Sequence, residues 1–213
     1  MTDHPITNHH ACSDAAFLSS LEGYELIPHL VRALATGQSV QVEEIAASAN
    51  LPLGDVERLL RSQPGTEWDG GGRLVGFGLT SRPTAHRFEV GAKTLYTWCA
   101  TDTLFFTVIL GSPSVIESTC PATGQAIRIE LDPHAVVSVT PAEAVVSQRH
   151  HGELLSDVRS QVCDHGHFFA SPAAATAWSV AHPEGEVLSV AEAFDHSREA
   201  CEELGWLPES SSR

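Results

Sequence analysis

Two segments of the 213-residue chain carry residue types that can do chemistry, at spacings that let them act together. In the first, Trp98-Cys99-Ala100-Thr101-Asp102-Thr103-Leu104-Phe105-Phe106, Cys99 ends a strand and Asp102 follows three positions on, in the first turn of an expected helix. A thiol and a carboxyl so placed can face one small volume, a general acid beside a nucleophile. Packing explains the same residues: cysteine is often a small buried hydrophobe, and a carboxylate suits a helix start. On this segment alone, packing is the better account. In the second, Val162-Cys163-Asp164-His165-Gly166-His167-Phe168-Phe169, the residues Cys163, His165 and His167 alternate, so a strand would project all three from one face as zinc or copper ligands. Imidazoles hydrogen-bonded at a sheet edge, with Phe168 and Phe169 in the core, account for that spacing equally well.

The elements that must position these residues divide into a helical part and a β part. Residues 1–15 are polar and His-rich without an apolar period, which predicts a disordered arm. Apolar residues at helical spacing from Ala16 to His29 predict one helix, and Pro28 near the first turn of Pro28–Leu34 begins another, ending by Gly37. Ser39–Ala46 and Pro52–Leu60 read as two helices joined by a short turn around Asn50. The stretch EWDGGGRLVGFGL then reads as two strands with a Gly-rich turn. Together these spell a winged helix-turn-helix over residues 16–80. Its second helix carries Asp55, Glu57, Arg58 and Arg61, a nearly balanced face, so a structural or docking role fits better than DNA reading.

Residues 81–213 are expected to form the second domain. HRFEV, KTLYTW, SVIEST, AIRIEL, AVVSVT and EAVVSQ are short, β-branched segments punctuated by Gly and Pro, and predict an antiparallel sheet. TDTLFFTVIL reads as a buried helix, Ser171-Pro172 opens a helix reaching Trp178, and VLSVAEAFDHSREACEEL reads as a final amphipathic helix. The fold class expected is therefore α+β: a helical, winged-helix-like N-terminal part followed by an antiparallel sheet with flanking helices.

Composition narrows the function. Hydrophobic residues make up 42% and charged residues 18%, enough to build a core, and the net charge of −15 opposes a phosphate backbone or an anionic membrane. No apolar run approaches the ~20 residues of a membrane-spanning helix, and the N-terminus lacks a basic stretch followed by an apolar signal core, so a soluble cytoplasmic protein is expected. The five cysteines, Cys12, Cys99, Cys120, Cys163 and Cys201, are widely spaced with no CxxC pair, so neither a disulfide framework nor a zinc knuckle is indicated. Among the twelve histidines, His9, His10, His150 and His151 lie in polar stretches and read as solvent-exposed.

Read together, GxLxGFGLT at Gly72–Thr80, LYTWCATDTLFF at Leu95–Phe106, CPATG at Cys120–Gly124 and DVRSQVCDHGHFFAS at Asp157–Ser171 resemble the organomercurial (alkylmercury) lyase family, in order along residues 16–205. The resemblance implies the α+β fold just described. It places the family's catalytic cysteines on Cys99 and Cys163 and its catalytic aspartate on Asp102, with these residues contacting mercury. It gives Cys120 a packing role; Cys12, in the arm, and Cys201, in a helix of mixed polarity, read as incidental from their surroundings. The chain departs from the family pattern at Asp164, where many members have a second consecutive cysteine, and this bears on metal release rather than on catalysis.

The chemistry fits these residue types. Hg(II) is soft and prefers two near-linear thiolates, so two cysteines remote in sequence can clamp one atom. A carbon–mercury bond is inert to water; cleaving it needs added thiolates on the metal and a proton delivered to carbon. The resemblance implies that Asp102 takes the proton of one cysteine as that thiol binds R–Hg⁺, then donates it to the leaving carbon. An apolar pocket, for which Trp98, Phe105, Phe106, Phe168 and Phe169 are candidates, raises the proton affinity of the carboxyl and makes the shuttle workable near neutral pH. No cofactor is needed: the metal enters with the organomercurial substrate and leaves on cellular thiols or those of a mercuric reductase. Two alternatives remain at this point, a metal carrier built on Cys163, His165 and His167, and a metal-responsive winged-helix regulator.

Overall fold

The computed structural model describes residues 14–149 and 156–208. The arm with Cys12, His9 and His10, and the pair His150 and His151, lie outside them. The N-terminal helices are α1 (Asp14–Ser19), α2 (Ile27–Leu34), α3 (Val42–Ala49) and α4 (Leu53–Ser62). The helix expected through Ala16–His29 is instead interrupted. Gly23 takes a left-handed φ of 77°, and a 3-10 turn over Tyr24–Leu26 leads into α2. The turn between α3 and α4 forms as expected. Asn50 ends α3 at φ 53°, one of the few non-glycine residues that tolerate that region, and Pro52 precedes α4.

The wing follows as β1 (Glu67–Trp68) and β2 (Leu74–Phe77), antiparallel around a turn in which Asp69 Oδ1 accepts from the N–H groups of Gly71 (2.8 Å) and Arg73 (2.9 Å). The wing does not stand apart. After β2 the chain turns at Gly78 into β3 (Leu79–Thr80), which pairs with β5 (Lys93–Thr97), so the helix-turn-helix region and the expected second domain share one eight-stranded antiparallel sheet. With β4 (His86–Val90), β6 (Ser114–Thr119), β7 (Ala126–Asp132) and β8 (Ala135–Thr140), its order is β1-β2-β3-β5-β4-β6-β7-β8. Burial alternates along β4, β6 and β7, as in a sheet with one face on the core and one wet.

EAVVSQ does not join this sheet. It is β9 (Val145–Arg149), the centre of a separate three-stranded sheet between β10 (Phe168–Phe169) and β11 (Gly185–Ser189). The start of the expected last helix is corrected likewise: Val187, Leu188 and Ser189 belong to β11, and α8 runs Val190–Glu203. Ser189 caps α8, accepting from Glu192 N–H at 3.2 Å, while the Glu192 carboxylate accepts from Ser189 N–H at 3.0 Å.

Between the sheets runs α5 (Ala100–Leu110), buried along nearly its whole length, as its mostly apolar sequence predicts. It packs on β4, β5 and β7 of the large sheet, on β9 of the small one, and on α2 and α8. Two short elements complete the chain: α6 (Val158–Gln161), and α7 (Pro172–Ala181) capped by Ser171. No helix among the described residues is long and apolar enough to cross a membrane.

Candidate functional site

Cys99 is the N-cap of α5. It leaves β5 in extended backbone, at φ −134° and ψ 170°, and its Sγ accepts from the N–H of Asp102 at 3.3 Å. Asp102 Oδ2 accepts in return from the N–H of Cys99 at 3.2 Å. This is a capping box in which a thiol replaces the usual serine, so the cap that starts the helix also pins thiol and carboxyl against one another. The three-residue spacing has structural and chemical consequences at once.

Cys163 comes from the far side of the chain. The strand expected over 163–167 does not form: Cys163–His165 is a 3-10 turn after α6, held by His165 N–H to Val162 O (3.1 Å) and Gly166 N–H to Cys163 O (3.0 Å). Ladder pairing resumes only at Phe168. The turn separates the three candidate metal ligands. The His165 ring packs edge-on to His182 at 4.9 Å between centroids, and His167 lies against His86 and Phe169, while the Cys163 thiol turns inward. Among the described residues, the group of ligating side chains that converges is Cys99, Asp102 and Cys163, with ligand atoms all within 4.8 Å.

The approach of the two cysteines rests on Gly166. Its carbonyl accepts from Ala100 N–H at 3.1 Å, stitching the turn to the first residue of α5. A Cβ at position 166 would lie 2.9 Å from Cys99 Cβ and 3.6 Å from its sulfur, so only glycine allows this contact. Gly78 serves the other side at φ 68°, a left-handed conformation; its carbonyl accepts from Trp98 N–H at 2.8 Å, and a Cβ there would strike Phe106 at 2.8 Å.

Both thiols are buried, packed with Trp98 and flanked by Phe77 and Val158. The hydrogen bond to Cys163, burial and the Asp102 charge push the Cys99 thiol well above the usual cysteine range. For Cys163, the hydrogen bond from Cys99 pulls downward, but burial and the charges of Asp102 and Asp164 outweigh it and the net shift is upward. Burial raises Asp102 from 3.8 to about 6, against the hydrogen bonds from Cys99 and the backbone that favour its charged form. The resting site therefore holds thiols beside a carboxyl that changes protonation near neutrality.

Next to this group opens a cavity of about 410 Å3. Its walls are apolar: Trp98, Phe105 and Phe106 line it as expected, but Phe168 and Phe169 fill the core instead. The sequence did not point to the rest of the wall. Phe17 and Leu18 of α1, Tyr24, Ile27, Leu30 of α2, and Leu59 and Leu60 of α4 all face the cavity, with Phe77 and Trp206. The helix-turn-helix thus presents α4 to the buried cysteines. Asp164 is mostly exposed, with Arg159 Nε 3.9 Å away.

The remaining cysteines take no part in this group. Cys120 is buried at its turn; burial would raise its thiol, but hydrogen bonds from the Thr123 hydroxyl and the N–H groups of Ala170, Ala122 and Thr123 prevail and lower it. Cys201 is buried in the α8 packing, and burial pushes it up to about 12. All four described cysteines are free thiols.

The sequence profile of the family described as alkylmercury lyase matches residues 79–202, and that of the helix-turn-helix domain of alkylmercury lyase matches residues 21–78. The chain belongs to the alkylmercury lyase family. The curated alkylmercury lyase of Staphylococcus epidermidis is 47% identical over 169 residues, covering 79% of this chain and 78% of that protein. Those of Streptomyces lividans and Pseudomonas putida are 43% and 42% identical, over 82% and 78% of this chain and 81% and 77% of theirs. A solved chain described as the mercury-bound form of MerB2 has the same fold, with a TM-score of 0.69 over 88% of this chain and 94% of that one at 22% identity. The chain is therefore an enzyme of the carbon–mercury lyase class, as the sequence resemblance implied, and neither the carrier nor the regulator reading gains support.

Proposed function

We propose that this member of the family cleaves organomercurials by holding mercury between Cys99 and Cys163 and delivering a proton to carbon from Asp102. The observation that carries the reading is the convergence of two buried sulfurs and one carboxyl within 4.8 Å, the local Cys99–Asp102 pair meeting a cysteine from a remote segment of the chain. Soft thiolates suit Hg(II), and the oxygen of Asp102 is left free for proton transfer.

The protons balance as follows. An incoming R–Hg–X exchanges X for the first sulfur, and that cysteine's proton leaves with X as HX. The second sulfur then binds mercury and its proton passes to the Asp102 carboxylate. Asp102 returns that proton to carbon as the carbon–mercury bond breaks, giving R–H and Hg(II) on two sulfurs. No further cofactor enters. Cellular thiols, or those of a mercuric reductase, then take the metal by exchange and restore the thiols. Free cysteines on a reaction that depends on thiols fit a reducing, cytoplasmic setting.

The organic group occupies the apolar cavity, whose volume falls within the ~300–1,000 Å3 of small-molecule sites. Purified protein supplied with phenylmercury and excess monothiol should release benzene catalytically; no benzene would overturn the reading. Filling the cavity by Leu59→Trp should lower kcat/KM for phenylmercury relative to methylmercury by about 10-fold or more. An unchanged ratio would place the organic group elsewhere.

A further inference from the structure

Glu67, at the start of the wing, is only 7% exposed, an unusual place for an acid at the start of a two-residue strand. Its Oε1 accepts from the Trp98 indole N–H at 3.2 Å and from Arg159 Nη1 at 2.8 Å. Its Oε2 accepts from the Thr80 hydroxyl at 2.8 Å and lies 3.6 Å from Arg82 Nη1. Arg159 also lies over the Trp98 ring, 4.8 Å from its centroid. Two of these partners lead directly to the site sulfurs: Trp98 immediately precedes Cys99 and packs with both cysteines, and Arg159 belongs to α6, four residues before Cys163.

We propose that Glu67 is a positioning residue for the reaction: through Trp98 and Arg159 it locks together the two chain segments that deliver Cys99 and Cys163 to one mercury atom. The packing around it supports this. Gly65, two residues earlier, sits so close that a Cβ there would lie 2.7 Å from Arg159 Cβ and 3.2 Å from Trp98 Cη2. Three remote segments, the wing, the β5–α5 junction and α6, therefore meet at one carboxylate. Cys99 stands on one of them, and Cys163 on the turn that directly follows another. A clamp that fixes ligand-bearing segments sets the geometry the metal meets, as partners behind the direct ligands do in metal sites generally. The inference rests on the two-sulfur reading above, and it gives the wing a part in catalysis that it would lack as a DNA-binding hairpin.

The test uses the full chain with Glu67→Ala, Glu67→Gln and Arg159→Met. Hg(II) affinity is read by competition with a monothiol, following the ultraviolet thiolate-to-mercury absorption, and kcat and KM are read with phenylmercury. Glu67→Ala should weaken Hg(II) binding about 10–100-fold and lower kcat with little change in KM. Glu67→Gln keeps an acceptor for Trp98 and Arg159 and should recover most of both. Arg159→Met keeps an apolar stem on Trp98 but cuts the link, and should reproduce the loss even if Glu67→Ala does not fold. Wild-type Hg(II) affinity in folded Glu67→Ala or Arg159→Met would overturn the proposal. So would losses that track melting temperature alone. Absent turnover in the wild type would instead strike the reading of the site, while the affinity comparison would still judge Glu67.

Discussion

Cys99→Ser and Cys163→Ser are each expected to reduce hydrocarbon release from phenylmercury to the uncatalysed background while leaving the protein folded. Serine is chosen because Cys99 caps α5 in addition to its proposed role as a ligand. As N-cap it accepts from Asp102 N–H, and a serine hydroxyl is at least as good an acceptor there, so the helix start survives. As a ligand it cannot be replaced: an alkoxide-forming hydroxyl is hard and protonated at neutral pH, whereas Hg(II) seeks soft thiolate. Cys163 has no capping duty, and its substitution isolates ligation more simply. Gas chromatography of benzene with circular dichroism of the same samples checks both halves of the expectation. Because the sulfurs act as one unit, the double substitution should cost no more than either single one. Normal turnover by either serine variant would remove that cysteine from the reaction.

Asp102→Asn is expected to slow protonolysis by about 10²–10⁴-fold, the usual contribution of a placed proton donor, while mercury still binds. It should also stabilise the protein. The folded carboxyl sits at about 6 against 3.8 in its ordinary state, with burial the leading cause. A raised acid favours folding only while it is protonated; that advantage disappears as pH rises through the window from about 4 to about 6. Above it, the ionised group costs up to about 3 kcal/mol for a shift of this size. Asparagine carries no such charge and still accepts from Cys99 N–H, so its melting temperature should exceed the wild type's at mildly alkaline pH and converge with it at acid pH. The wild-type kcat/KM should fall below about pH 6, where Asp102 can no longer accept the thiol proton, and the variant should lose that limb. Unchanged kcat in Asp102→Asn would contradict its role.

Much of this site was legible in the sequence, for reasons that can be named. The Cys99–Asp102 spacing is that of a helix cap, and a helix that is apolar on every side, such as α5, has nowhere to go but the core. The turn at Asn50 and the hairpin around Asp69-Gly70-Gly71-Gly72 are local, so local residues announce them. The turn at Cys163 is hidden because Cys163, His165 and His167 mimic the two-residue period of a strand, while Val162 and Gly166 supply the bonds of a tight turn. Val187-Leu188-Ser189 ran into the last helix although Ser189 and Glu192 are spaced as a capping box and mark its start. The run Val145-Val146-Ser147-Gln148, buried throughout, belongs to the centre of a second sheet, and no alternation revealed which sheet it would join.

What stayed hidden depends on contacts between distant segments. Leu59 and Leu60 look like ordinary helix-turn-helix core, and only the fold turns them toward the buried sulfurs. Glu67 looks like a solvated charge at a strand start, and only Trp98, Thr80 and Arg159 make it a buried hub. The helix-turn-helix makes the same point. Its pattern suggests DNA, its balanced charge argues against it, and its position makes it one wall of the apolar cavity beside the sulfurs.

X-ray absorption at the mercury edge on protein that has turned over phenylmercury, before any free thiol is added, measures the central claim directly. Two sulfur neighbours per mercury in the wild type, and one in Cys99→Ser and in Cys163→Ser loaded directly with Hg(II) because neither turns over, is the predicted result. A single protein sulfur in the wild type, or nitrogen neighbours from His165 or His167, would contradict it.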